Sequence, residues 1–130
     1  MKAVHGFGSY SVKDVNAALE FYKDTLGLAA NIDEKMGIMH VPMPGGGEVM
    51  IYPKGDSHEP ASFTVLNLIV TDIEASVDEL AEKGVVFEQY DSEYSKTDTK
   101  GIARTGEDED SSAIAWFKDP AGNILSLIEG

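Results

Sequence analysis

Cysteine is absent from the chain. That excludes disulfides, thiolate metal sites and cysteine nucleophiles, and it fits a reducing compartment. Basic residues are scarce: 10 Lys and Arg stand against 23 Asp and Glu, a formal charge of −13, and Arg104 is the only arginine. Such a field repels nucleic acid and anionic lipid, so neither is an expected partner, while a cationic ligand would be favoured. No apolar run reaches the length of a membrane span, and the opening Met1-Lys2-Ala3-Val4-His5-Gly6-Phe7 lacks signal-peptide anatomy. A cytoplasmic protein is the expectation. Also missing are a Ser-His-Asp arrangement, a His-Glu-x-x-His pair and a glycine loop with phosphate-binding spacing. Gly45-Gly46-Gly47 reads as a hairpin turn.

What remains is ordinary for a globular protein, at 42% hydrophobic and 25% charged residues. Its organisation is a repeat. Ser11-Val12-Lys13-Asp14-Val15-Asn16-Ala17 and Ile69-Val70-Thr71-Asp72-Ile73-Glu74-Ala75 share one design, a strand end, an Asp cap and an amphipathic run closed by Gly27 or Gly84. In the first half the pattern predicts strands over Val4–Val12, Leu28–Ile32, Gly37–Met43 and Val49–Pro53. Its helical stripe is Val15, Ala18, Leu19, Tyr22 and Leu26. In the second half it predicts strands over Phe63–Val70, Val85–Glu88, Ala113–Lys118 and Ile124–Ile128, with Ile73, Val77, Leu80 and Ala81 as the buried stripe. The polar stretch Lys54–Ala61 reads as a linker, which places module one at 1–53 and module two at 62–130 of a single domain. Gln89–Ser112 is long for a connection and reads as a candidate lid or a solvated excursion. It holds Tyr90, Tyr94, Arg104 and the acidic run Glu107–Asp110.

The repeated β-α-β-β-β order, Glu20-Phe21-Tyr22 before Leu26-Gly27, and the closing Asp119-Pro120-Ala121-Gly122-Asn123 together resemble the vicinal oxygen chelate superfamily. This is the glyoxalase, bleomycin-resistance and ring-cleaving dioxygenase group. The resemblance spans essentially the whole chain. It implies an α+β fold of two tandem βαβββ modules forming a U-shaped, partly open mixed β-barrel with helices outside. It also implies a homodimer, and in the family's enzymes a divalent metal held by four side chains. In this sequence the corresponding positions are Phe7, Met50 or Ile51, Val65 and Ser126, none of them a good ligand. His5 and Glu48, each one rung away on its strand, could improvise a two-residue site. His40 and His58 read as a middle-strand residue and a linker residue.

Strand alternation predicts what lines the cleft instead. Phe63, Val65, Asn67 and Ile69 face it together with Ile124, Ser126 and Ile128, while Leu66, Leu68, Val70, Leu125 and Leu127 turn to the helices. The candidate ligand-binding residues are His5, Phe7, Ser9, Met50, Tyr52, Val65, Asn67, Arg104, Trp116 and Ser126. No metal or cofactor is expected. This favours a metal-independent small-molecule-binding protein of the glyoxalase/bleomycin-resistance type that holds an apolar or cationic aromatic ligand. The alternative is a glyoxalase-like lyase, isomerase or dioxygenase with a noncanonical metal site or none.

Overall fold

Asp14 and Asp72 each leave the backbone extended and turn a carboxylate onto the helix that follows. Asp14 Oδ1 accepts from Asn16 N at 2.9 Å, and Asp72 Oδ1 from Ala75 N at 3.1 Å. Both satisfy a donor that a helix start leaves without a backbone partner. The computed structural model describes residues 1–105 and 112–130; the acidic run Glu107–Asp110 lies outside the described residues. The chain divides into two units, Met1–Pro60 and Ala61–Gly130.

The first unit runs β1 (Gly8–Val12), α1 (Val15–Leu19), β2 (Asn31–Asp33), β3 (Ile38–Pro42) and β4 (Glu48–Pro53). The helix does not stop at Leu19 but widens into a π-helical stretch, Glu20–Thr25. Gly27, at φ +76°, then ends it in the left-handed region that glycine enters at little cost. The strands pair in the order β1-β4-β3-β2, with β1 parallel to β4 and the other pairs antiparallel. Tyr22 is fully buried, and its hydroxyl meets that of Tyr10 at 2.7 Å. With Val12, Ala18, Met39, Val41 and Ile51, Tyr22 makes the core on the helix side.

The second unit repeats the plan as β5 (Thr64–Val70), α2 (Ile73–Glu82), β6 (Ile102–Arg104), β7 (Ala113–Lys118) and β8 (Ile124–Glu129). Its order is β5-β8-β7-β6, again with one parallel pair, β5 and β8. Ile73, Val77 and Leu80 of α2 are buried, as are Leu66, Phe117, Leu125 and Leu127 of the sheet. Ala81, expected in the buried stripe, is exposed. The result is an α+β chain of two βαβββ modules, each an open four-stranded mixed sheet.

Several strand limits differ from the sequence expectation. The first strand begins at Gly8 rather than Val4, so His5 lies outside it and is exposed. The second occupies Asn31–Asp33 rather than Leu28–Ile32. Val85–Glu88 is not a strand. Only Phe87 makes an isolated bridge there, to Phe117, and the third-from-last strand is Ile102–Arg104, inside the segment read as a connection. The β5–β8 register also shifts between Thr64 and Leu66, which leaves Val65 as the extra residue of a β-bulge.

Candidate functional site

Register fixes which side chains share a face. In the second unit Asn67 pairs with Ser126, and Ser126 with Trp116, so the three stand in one row across β5, β8 and β7. Their neighbours Leu66, Leu125 and Phe117 are buried toward α2, so by alternation the row lies on the opposite face, with Asn67 exposed, Trp116 half-buried and Ser126 covered between them. Thr64 pairs with Ile124 one step away. It shares that face because the bulge absorbs Val65, which strict alternation would have put there.

Beside this row the chain builds a wall. Tyr90 N donates to Thr97 Oγ1 at 2.8 Å, Thr97 N donates back to Tyr90 O at 2.9 Å, and Asp91 bridges to Lys96. Thr97 bridges in turn to Ala103 of β6. Part of the segment expected to be a lid or a solvated excursion is therefore a small hydrogen-bonded hairpin seated on the sheet. It sets the Tyr90 ring edge-on to Trp116, with centroids 5.4 Å apart and an interplanar angle of 75°. Such pairs add to the area they bury because ring edge and ring face carry opposite partial charge. Between wall and sheet lies a concavity of about 260 Å³ lined by Phe63, Thr64, Tyr90, Trp116 and Ile124, with serine side chains at its margin.

The polar groups here are few and held in place. Ser126 is fully buried, and its Oγ donates to Asn67 Oδ1 at 2.5 Å. Glu88 and Lys118 pair at 3.8 Å. Burial, with a lesser contribution from the Glu88 charge, raises the Tyr90 phenol above the ordinary tyrosine value of 10.0, so it stays neutral at physiological pH.

In the first unit Ser9, Met50 and His40 form a corresponding row, and Ser11 pairs with Tyr52 one step on. Phe7 precedes β1 and is 55% exposed. His40 Nδ1 lies 3.7 Å from Glu48 Oε1, and Ser11 Oγ lies 2.8 Å from His58 Nδ1. Among the described residues His5 makes only a tilted ring approach to Phe7, at 6.5 Å; it is His40 that faces Glu48. Two buried flanking residues, Met39 and Val41, place His40 on the open face. That alternation was readable in the sequence, whereas its cross-strand neighbour depended on the β3–β4 register.

Arg104 stands apart from the other candidates. Ile102 pairs with Ala115 and Arg104 with Ala113, so Arg104 belongs to the helix side, where it pairs with Glu74 of α2 at 3.4 Å. Glu129, also out of phase with Ser126, accepts from Ile73 N at 3.0 Å and supports the start of α2.

A family model described as the glyoxalase/bleomycin resistance protein/dioxygenase superfamily matches residues 7–127. The chain belongs to that superfamily. Solved structures agree on the fold. A superfamily member from Sphaerobacter thermophilus is 26% identical, with a TM-score of 0.64 over 98% of both chains. TnmS3, an antibiotic binding protein from Streptomyces sp. CB03234, is 22% identical, with a TM-score of 0.64 over 99% of this chain and 98% of its own. An integron cassette protein from the mobile metagenome of V. cholerae is 20% identical, with a TM-score of 0.64 over 99% of this chain and 97% of that one. No match was found among curated proteins.

The superfamily's metal chemistry finds poor donors here. Phe7, Met50, Ile51 and Val65 offer no nitrogen or carboxylate oxygen, and the Ser126 hydroxyl is engaged by Asn67. Among the described residues no three His, Asp or Glu side chains converge on one point. These positions do not fit a divalent ion held in the superfamily's manner.

Proposed function

We propose that this superfamily member binds a small aromatic molecule, apolar or cationic, on the open face of its second unit and without a metal. The observation that carries this reading is the concavity of about 260 Å³ between Phe63, Tyr90, Trp116 and Ile124. Apolar walls with few fixed polar groups are the usual make-up of a small-molecule site. The antibiotic-binding relative lends support through its fold.

The test uses 2-acetylnaphthalene as a probe in saturation-transfer NMR, with the wild type and Trp116→Ala compared. Signal transfer from the wild type, at least about tenfold weaker binding in the variant and an unchanged fold by circular dichroism would uphold the reading. Equal binding by both proteins would remove the site. For a cationic ligand, affinity should also fall as salt is raised.

A lyase, isomerase or dioxygenase with a noncanonical metal site is the second reading, and the His40–Glu48 pair is the feature that favours it. A stoichiometric metal ion in protein purified without chelator, lost in His40→Ala, would support that reading over the first. Homodimer formation is proposed on family grounds, and sedimentation equilibrium would measure it. A cytoplasmic location is proposed on the lack of cysteine, and cell fractionation would check it.

A further inference from the structure

We infer that Asn67 selects the ligand, by donating its amide N–H to a hydrogen-bond acceptor on an aromatic molecule held against Trp116 and Tyr90. This rests on the reading of the second unit as an aromatic site and adds the chemical class that site prefers.

Four observations carry it. Asn67 lies in the same row as Trp116, with only Ser126 between them. Adjacent strands are about 4.8 Å apart, so the backbone positions that carry amide and indole are about 10 Å apart, roughly the span of a two-ring aromatic with one substituent. The amide is also oriented. Its oxygen accepts from the fully buried Ser126, so the exposed end of the side chain is the Nδ2 group, with its two donors. Among the described residues no other hydrogen bond engages that side chain. Finally, the charges flanking the row are paired or turned away. Lys118 is matched by Glu88, while Arg104 and Glu129 are held on the helix side by Glu74 and by the Ile73 amide.

A neutral donor whose direction is fixed by a buried partner is suited to a carbonyl or ring-nitrogen acceptor. It gives little to a hydrocarbon and disfavours an ammonium group. Because the Asn67–Ser126 bond already exists, little orientational freedom is lost when the acceptor arrives. Of the apolar and cationic ligands proposed above, the class assigned is therefore the uncharged one, a bicyclic or larger aromatic carrying an acceptor on its edge.

Three probes of nearly equal size test this by calorimetry: 2-acetylnaphthalene, 2-ethylnaphthalene and the protonated amine 2-naphthylmethylamine. The wild type should bind the ketone about three- to tenfold more tightly than the hydrocarbon, the range one hydrogen bond supplies. Asn67→Asp keeps an oxygen for Ser126 but loses the donors and gains a charge. That variant should abolish the preference for the ketone and favour the amine. Equal affinity of the wild type for ketone and hydrocarbon, with both lost in Trp116→Ala, would overturn the selection by Asn67 and leave the aromatic site standing. Binding of none of the three would overturn the aromatic site itself, and this inference with it. Should Asn67→Asp fail to fold, the ketone-to-hydrocarbon ratio of the wild type still decides.

Discussion

Asp119 organises the last turn through one side chain. Its Oδ1 accepts from Ala121 N and Asn123 N, both at 2.9 Å, and its Oδ2 accepts from Asn123 Nδ2 at 3.1 Å. Asp119 is 5% exposed and Asn123 is 2% exposed, so water cannot readily replace those bonds. Asp119→Ala should destabilise the protein by about 3 kcal/mol, measured by urea unfolding, because buried donors lose a charged acceptor. Tyr90 supplies a second prediction at this scale. Its phenol is raised in the folded state, so the folded protein retains the proton that the unfolded chain releases near pH 10.0. Its stabilising contribution is therefore complete below that pH and is lost as pH rises through the higher folded value. Tyr90→Phe should flatten the alkaline decline in urea midpoint above pH 10. The turn was legible from Asp-Pro-x-Gly spacing, since every partner lies within a few residues. The Asn67–Ser126 bond joins residues 59 positions apart, and only the β5–β8 register reveals it.

Gly101 shows how an element depends on one backbone position. A Cβ there would lie 2.8 Å from Phe87 Cβ and 3.0 Å from the Glu88 carbonyl oxygen, and φ is +87°. Phe87 and Glu88 hold the segment that leads into the Tyr90 wall, so Gly101 lets β6 enter beside it. Gly101→Ala should cost about 3 kcal/mol by combining left-handed strain with a backbone clash. Weaker probe binding by the variant at a temperature where it remains folded would show the wall displaced. The same region explains which elements the sequence revealed. Both helices were readable because cap, stripe and terminal glycine are local signals. Val85–Glu88 carries two valines and a phenylalanine, good strand composition, yet among the described residues its strand-like contacts stop at the Phe87–Phe117 bridge and the bond from Glu88 N to Trp116 O. The strand that does form, Ile102–Arg104, is three residues long. Pairing with β7 defines it, and no pattern that short has a period to read.

Across the whole chain the excess of acid is the dominant global property. At −13 the like charges repel one another in the compact state, and the ion pairs on the described surface are mostly exposed. Exposed pairs contribute little, typically below about 1 kcal/mol. Adding salt should therefore raise the urea midpoint, because screening relieves net repulsion more than it weakens these pairs. A midpoint that falls with salt would mean that specific ion pairs outweigh the global field. The repeated βαβββ order was visible at this scale because each half carries its own Asp cap and closing glycine. The distribution of polar groups over the two open faces was less visible. It depends on where each strand starts and on one irregularity in β5.

That irregularity alters what a deletion would do. Losing a residue within a strand ordinarily inverts every side chain on one side of the cut, because successive residues point to opposite faces. Val65 is already surplus to the pairing between Thr64–Ile124 and Leu66–Leu125. Its removal would close the chain into a regular ladder and leave Thr64, Asn67 and their partners facing as they do now. A chain shortened by this one codon would be expected to keep both its fold and the aromatic face, at a place where almost any other strand position would lose them.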